Sequence, residues 1–122
     1  MRATESEQKI LQLLWEQGTM STMQITEKLR CETNWTKHAV ISFLKRMEAK
    51  NLVSYEEHGR SKYYSPLISK EEFAKEERNS VLKNFYQGRL GLMISAMAED
   101  NSLTQEDLLD LQNLLERLHD SI

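Results

Sequence analysis

The chain has 122 residues and a formal net charge of −3, from 16 Lys+Arg against 19 Asp+Glu. Hydrophobic residues make up 39% of it and charged residues 29%, which allows a folded core but leaves no apolar run close to the ~20 residues that a bilayer requires. No positively charged start is followed by an apolar run, so we expect no secretory signal. The single cysteine, Cys31, excludes an intramolecular disulfide and a cysteine-based metal cage within one chain, which favours a cytoplasmic protein. Cys31 itself is expected to be a small buried side chain.

Two helices are predicted at the start of the chain. Thr4 and Glu7 have the spacing of a capping box, in which a hydroxyl and a carboxylate satisfy free amides at a helix start. Gly18 is a suitable residue to end this helix. Ser21 and Gln24 repeat the capping-box spacing and predict a second, shorter helix.

A third helix is predicted to begin near Thr36. Asn51, which tolerates a left-handed backbone, is placed to end it. The core-facing residues follow the i, i+3, i+4, i+7 spacing of one helix face, namely Val40, Phe43, Leu44 and Met47.

A β-hairpin is predicted after the third helix. Residues 53–55 and 62–64 have the every-second-residue pattern of two strands, on either side of a turn that contains Gly59. Pro66 ends the second strand because it cannot donate a backbone hydrogen bond. Three helices followed by a hairpin is the order of a winged helix-turn-helix. We therefore predict a mainly α fold with a winged-helix domain over residues 1–67.

A long helix is predicted to follow the hairpin. Ser69 and Glu72 have capping-box spacing, and the helical pattern continues to about Ala98. Gly88 and Gly91 are the positions at which it is expected to bend or break. This segment belongs to a predicted C-terminal helical domain over residues 68–122.

The last predicted helix begins at Thr104 and Asp107 and runs to about His119. Its leucines have the 3-4-3 spacing of a coiled-coil seam. Two exposed helices cannot easily bury such stripes alone, so pairing with a second chain is favoured over the alternative, packing within one chain. The candidate dimerisation residues are Phe85, Leu90, Met93, Met97, Leu108, Leu111, Leu115 and Leu118.

The charge is unevenly distributed along the chain. Residues 1–66 have ten basic and eight acidic residues, a net charge of +2, whereas residues 67–122 have six and eleven, a net charge of −5. Residues 33–63 alone have a net charge of +3. A basic centre is typical of a surface that binds a polyanion, although a solvated surface with uneven charge is the alternative.

The third helix and the hairpin supply candidate DNA-binding residues. In a winged helix the third helix enters the major groove, where its N-terminal half could meet bases. The later cations Lys45 and Arg46 better suit phosphates, although either could reach a guanine. The turn of the hairpin projects its own cations beside it. The candidates are Thr36, Lys37, His38, Ile41, Ser42, Lys45 and Arg46 on the helix, and Arg60 and Lys62 on the hairpin. The alternative is a helical interaction module whose winged helix contacts protein rather than DNA.

No enzymatic chemistry is predicted. The sequence contains no Gly-rich phosphate loop, no G-x-S-x-G and no H-E-x-x-H. His38, His58 and His119 lie in three different predicted elements without ligand spacing, and each is expected at the surface. We therefore expect no catalytic residue, no metal site and no cofactor.

From about Thr4 to Leu118 the chain resembles the penicillinase repressor family, of the BlaI, MecI and CopY type. The resemblance depends on the order and spacing of several pieces, namely Glu7 through Leu14-Trp15, Ile25 with Leu29, Trp35, Leu44 with Arg46, Gly59-Arg60 and Tyr64-x-Pro66. It implies a homodimeric winged-helix transcriptional repressor that binds a palindromic operator. It also implies core packing for Trp15 and Trp35.

Two departures from the family pattern concern the inducing signal. Copper-responsive members have a C-terminal pair of Cys-x-Cys motifs, whereas this chain has only Cys31. In β-lactam-responsive members a membrane-bound sensor protease cuts an Asn–Phe bond, and the corresponding bond here is Ala96–Met97. An Asn84–Phe85 pair lies earlier in the long helix. Of the partners that the resemblance implies, the sensor protease is therefore the least supported.

Overall fold

The computed structural model describes residues 2–121. Its elements in chain order are α1 (Glu5–Gln17), β1 (Met20–Ser21), α2 (Thr22–Leu29), α3 (Lys37–Ala49), β2 (Val53–His58), β3 (Ser61–Pro66), α4 (Lys70–Tyr86), α5 (Leu90–Glu99) and α6 (Gln105–Ser121). The chain forms two compact units, Met1–Arg78 and Asn79–Ile122. The helix order and the hairpin of the predicted winged helix are confirmed, and the predicted domain boundary after residue 67 stays a prediction.

The predicted helix starts of the first unit are confirmed. At each one, a hydroxyl before the helix accepts a hydrogen bond from the amide three residues later, in the pairs Thr4–Glu7, Ser21–Gln24 and Thr36–Ala39. The predicted ends are confirmed at Gly18 (φ 83°) and at Asn51 (φ 61°), both of which have left-handed backbones.

The core of the first unit lies between α1, α2, α3 and the sheet. Its fully buried side chains include Ile10, Leu11, Leu14, Ile25, Val40, Leu44, Met47, Leu52 and Val53. Phe43, predicted in the core, is only half-buried and packs against the core from its edge. Trp15 and Trp35 are likewise half-buried at that edge.

The prediction for Cys31 was wrong. This residue is exposed, in the turn that follows α2. The apolar side of α2 ends at Leu29, which is buried, and the next two residues leave the core as the helix ends. A small apolar residue beside a helix end need not share the buried face of that helix.

The sheet contains a strand that the sequence did not reveal. Its order is β1-β3-β2, with antiparallel pairing throughout, and Met20 of β1 lies opposite Tyr64 of β3. The hairpin β2–β3, called the wing below, pairs Glu57 with Lys62 and turns at Gly59 (φ 66°). Pairing with β1 ties the base of the wing to the start of α2.

The long helix breaks where a glycine predicted it. α4 ends at Tyr86, and Gln87 (φ 55°) and Gly88 (φ 74°) then take left-handed backbones, with the Gly88 amide donating to the Leu82 carbonyl at 2.8 Å. Gly91, the other expected break, lies inside α5. Within residues 2–121, no helix is both long enough and apolar enough to cross a bilayer.

The second unit begins its last helix as predicted. Thr104 and Asp107 form both hydrogen bonds of a capping box, each at 3.0 Å. The helix α6 that they open extends to Ser121, slightly past the predicted end near His119.

A buried charge pair joins α1 to the end of α3. The Glu7 side chain is 0% exposed, and its Oε1 accepts hydrogen bonds from Lys50 Nζ at 2.6 Å and from the Thr4 amide at 2.9 Å. Arg2 donates to the Lys50 carbonyl at 2.8 Å and forms an ion pair with Glu76. Burial raises the pKa of Glu7, but the hydrogen bonds from Lys50 and Thr4 outweigh it and hold that pKa below its ordinary value of 4.5.

We expect Lys50→Ala to lower the free energy of unfolding of the first unit by about 2 kcal/mol, because it leaves the Glu7 carboxylate buried without its cation. This value is discounted because the Lys50 side chain is 35% exposed. Urea unfolding at pH 7, followed by tryptophan fluorescence, measures it. Lys9→Ala, which removes an exposed lysine from α1, is the control. Equal effects of the two substitutions would contradict the role given to this pair.

The stabilisation of the first unit by the Glu7–Lys50 pair should also depend on pH. Because the folded-state pKa of Glu7 is lowered, its contribution is complete above the ordinary pKa of 4.5 and is lost as the pH falls through the folded value. The difference in unfolding free energy between the wild type and Lys50→Ala should therefore shrink on acidification, because Glu7 binds its proton at a higher pH in the variant, which lacks the Lys50 contact, than in the wild type. A difference that stays constant down to pH 2 would contradict this assignment.

Candidate nucleic-acid interface

The outward side of α3 presents two parallel rows of side chains, each with the i, i+4 spacing of neighbours on a helix surface. The wing-side row consists of Lys37, Ile41 and Lys45, and the far row consists of His38, Ser42 and Arg46. All six are exposed except Ile41, which is half-buried. The two rows together contain six of the nine predicted DNA-binding residues and all of those within α3.

A cleft of about 470 Å³ lies between the wing-side row and the wing. Lys37, Ile41 and Lys45 line it from α3, and Arg60 and Lys62 line it from the wing. Of the described residues that line it, none is acidic. The fold therefore brings four cations, from two elements separated in sequence, around one concave surface, which is suited to a polyanion.

The wing positions its cations by aromatic packing and by its turn. Lys62 Nζ lies 4.4 Å from the centre of the Tyr55 ring, and Tyr55 packs against Tyr64 with ring centres 5.6 Å apart. Burial raises the pKa of the Tyr64 phenol above its ordinary value of 10.0, although the charge of Lys62 acts to lower it. Arg60 is exposed next to Gly59, at the tip of the hairpin.

The far row ends in a stack of three side chains. The Arg46 guanidinium lies over the Phe43 ring at 5.1 Å, and the Phe43 ring lies 4.8 Å from that of Trp35. His38, Ser42 and Arg46 do not line the cleft. The structure thus divides the predicted residues of α3 between two sides of the helix.

Thr36 lies at the start of α3 rather than within it. Its hydroxyl accepts a hydrogen bond from the Ala39 amide at 3.2 Å, which gives it a capping role, and its contact with DNA stays a prediction. Thr22 and Met23, in the first turn of α2, also line the cleft and were missed. The capping box of Ser21 and Gln24 is the local signal that fixes the start of α2, but it does not indicate that this start lies beside the wing.

The second unit has an apolar surface without a buried centre. Within residues 79–121 no residue is classed as buried. Phe85 is 76% exposed and Leu115 is 65% exposed. Of the eight predicted dimerisation residues, Met93 and Leu111 are half-buried and the others are exposed. An exposed apolar surface of this kind marks an interaction site.

Histidines and acids do not assemble into a metal site. Within residues 2–121 no group of three or more His, Cys, Asp and Glu side chains is placed to hold an ion. His38, His58 and His119 are all exposed, as predicted. His58 instead pairs with Glu56 at 3.4 Å on the wing.

Comparison with known proteins agrees with the fold and with the sequence resemblance. A family model described as Penicillinase repressor matches residues 3–117. The penicillinase repressor of Bacillus licheniformis is 23% identical over 113 residues, which cover 93% of this chain and 88% of that protein. Both matches include the residues of the cleft and most of the second unit.

Solved structures show the same fold. The monomeric form of BlaI from Bacillus licheniformis, in complex with the blaP half-operator, superposes with a TM-score of 0.50 at 19% identity, covering 57% of this chain and 84% of that one. The YusO protein from Bacillus subtilis superposes with a TM-score of 0.53 at 21% identity, covering 98% of this chain and 77% of that one. The first of these was solved with DNA.

Proposed function

The chain belongs to the penicillinase repressor family, and we propose that it represses transcription by binding a palindromic operator as a homodimer. The observation that carries this proposal is the cleft, in which four cations of α3 and the wing line one surface. The half-operator bound by the BlaI structure supports DNA as the polyanion.

The two elements of the interface would have different tasks on DNA. An α-helix of about 10–12 Å diameter fits the major groove, which is about 12 Å wide, so the two rows of α3 reach base edges there. We assign Arg60 and Lys62, which are exposed on the wing, to the phosphate backbone. Lys45 and Arg46, nearer the end of α3, are also assigned to phosphates.

The apolar surface of the second unit supports the homodimer. Four leucines of α6 form a continuous stripe, called the seam below, and a second copy of the chain presents the same seam. They are Leu108, Leu115 and Leu118, which are exposed, and Leu111, which is half-buried. A two-fold dimer places two recognition helices one or more helical turns apart, which matches two half-sites of a palindrome. Dimerisation would thus bury the apolar surface and double the DNA contacts.

Proteolytic release is not needed for this function. The Ala96–Met97 bond lies inside α5, and the Asn84–Phe85 bond lies inside α4. A protease requires an extended backbone, so either helix would have to open locally before cleavage. The sensor protease implied by the resemblance therefore stays outside the proposed function.

Gel retardation of the DNA upstream of the chain's own gene, at several salt concentrations, tests the proposal. We expect the protein to retard this DNA even when competitor DNA of unrelated sequence is added. Its affinity for the DNA should fall steeply as the salt concentration rises. An interaction module that contacts protein would retard neither DNA. Equal retardation of both DNAs would contradict operator recognition.

Arg60→Ala should weaken binding of operator and unrelated DNA by similar factors. A phosphate contact contributes to both, and its loss should reduce the slope of log affinity against log salt by about one. Binding curves at four salt concentrations measure the slope. The control is Lys9→Ala, which removes one charge from α1. An unchanged slope with altered sequence preference would instead make Arg60 a base-reading residue.

A further inference from the structure

The stack at the end of the far row holds Arg46 in a defined place. Its guanidinium lies 5.1 Å from the centre of the Phe43 ring, within the range of a cation–π interaction. Phe43 in turn packs on Trp35 at 4.8 Å, and both rings pack against the buried core. An exposed arginine therefore rests on one aromatic side chain, Phe43, which is itself packed against Trp35.

The stack lies on a different side of α3 from the cleft. Lys37, Ile41 and Lys45 line the cleft together with the wing, whereas Arg46 does not. Ser42 and Arg46 follow Ile41 and Lys45 by one position each, which is about 100° around a helix. A helix in the major groove has one DNA strand on each side, so the two rows approach different strands.

We propose that Trp35 and Phe43 are positioning residues that direct Arg46 to a phosphate of the strand opposite the one contacted by the wing. This inference rests on the proposed DNA binding and assigns a function to two aromatic residues that otherwise serve only as edge packing. The wing and Arg46 then contact the two DNA backbones that border one major groove.

The aromatic contact would favour binding of Arg46 to phosphate because it restricts a flexible side chain before DNA binds. A free arginine loses much rotamer freedom when it binds, and a side chain that is already ordered loses less. A cation–π contact at an exposed site corresponds to roughly a 2- to 5-fold effect on an equilibrium. The guanidinium N–H donors lie in the plane of the group, so a contact through its face leaves them available for phosphate oxygens.

A double-mutant cycle on the full chain tests the positioning role. Arg46→Ala should lower operator affinity about tenfold, as expected for a hydrogen bond to a charged group, and reduce the salt slope by about one. Phe43→Leu, which keeps an apolar side chain at the core edge, should lower affinity roughly 2- to 5-fold without changing the slope. In the Arg46→Ala protein, Phe43→Leu should have no further effect on affinity.

Lys45→Ala is the matched control for the cycle. It removes one charge from the wing-side row of the same helix, so Phe43→Leu should keep its full effect in that protein. A merely structural role for Phe43 would lower affinity by the same factor in all three proteins. That result would overturn the proposal, and thermal unfolding of each variant identifies any loss of fold.

Single neutral methylphosphonate substitutions in the retarded DNA test the choice of strand. One position should weaken the wild type but not Arg46→Ala, and another should weaken the wild type but not Arg60→Ala. The proposal requires these two positions to lie on opposite strands of one major groove, and positions on the same strand would overturn it. If the wild type binds no DNA, the proposed function fails with it. If the wild type binds and Arg46→Ala changes neither affinity nor salt slope, only this inference fails.

Discussion

Leu111→Asp combined with Leu115→Asp should convert the protein to a monomer and lower its operator affinity ~10²-fold or more. The two substitutions place carboxylates in the α6 seam, where burial of an unpaired charge is costly. A monomer binds each half-site separately and loses the high effective concentration that a linked second half provides. Light scattering measures the mass, and gel retardation measures the affinity.

The matched control is Gln112→Asp with Asn113→Asp, which adds the same two charges to exposed polar positions of α6. It should remain a dimer with nearly wild-type affinity. Both tryptophans, Trp15 and Trp35, lie in the first unit, so their fluorescence shows whether the DNA-binding part stays folded. A monomeric variant with wild-type operator affinity would contradict the role of the seam.

Ile41→Ala combined with Ser42→Ala should narrow the ratio of operator affinity to non-specific affinity by roughly 10- to 100-fold, because each good base contact contributes about 1–3 kcal/mol of discrimination. These adjacent residues belong to the two rows of α3 and carry no charge. Binding to unrelated DNA, which depends on phosphates, should change little.

Lys45→Ala is the comparison for specificity. It removes a cation that we assign to a phosphate, one turn further along α3, so it should weaken the binding of operator and unrelated DNA together. An affinity ratio that stays at the wild-type value in Ile41→Ala with Ser42→Ala, while the fold survives, would place recognition elsewhere, in the wing.

The elements with local signals were predictable from the sequence. Helix starts depend on pairs three residues apart, such as Thr4 with Glu7, and ends depend on Gly18 or Asn51, so their signals lie within a few positions. The strand β1 has two residues and no periodicity, and it exists because β3, more than forty residues later, pairs with it. Such non-local pairing leaves no local signal.

The exposure of the candidate residues on α3 and the wing was predictable from the sequence, whereas the cleft between them was not. Helical spacing separated Ile41 and Lys45 from the core face, and the hairpin order predicted Arg60 beside them. The cleft depends on how the wing packs on α3, which spacing does not determine. Phe43 was assigned to the core because its spacing matches the apolar stripe of α3. The structure places it at the edge of that stripe, half-buried and in contact with Arg46, three residues later. That i, i+3 pair was the available signal.

Transcription in a purified system, from the promoter upstream of the chain's own gene, tests whether the chain is a repressor. We expect transcript yield to fall as the operator fills and added salt to relieve the repression along with the binding. Leu111→Asp with Leu115→Asp should not repress at concentrations where the wild type does. Full occupancy of the promoter DNA without a fall in transcript would contradict a repressor, and so would a rise.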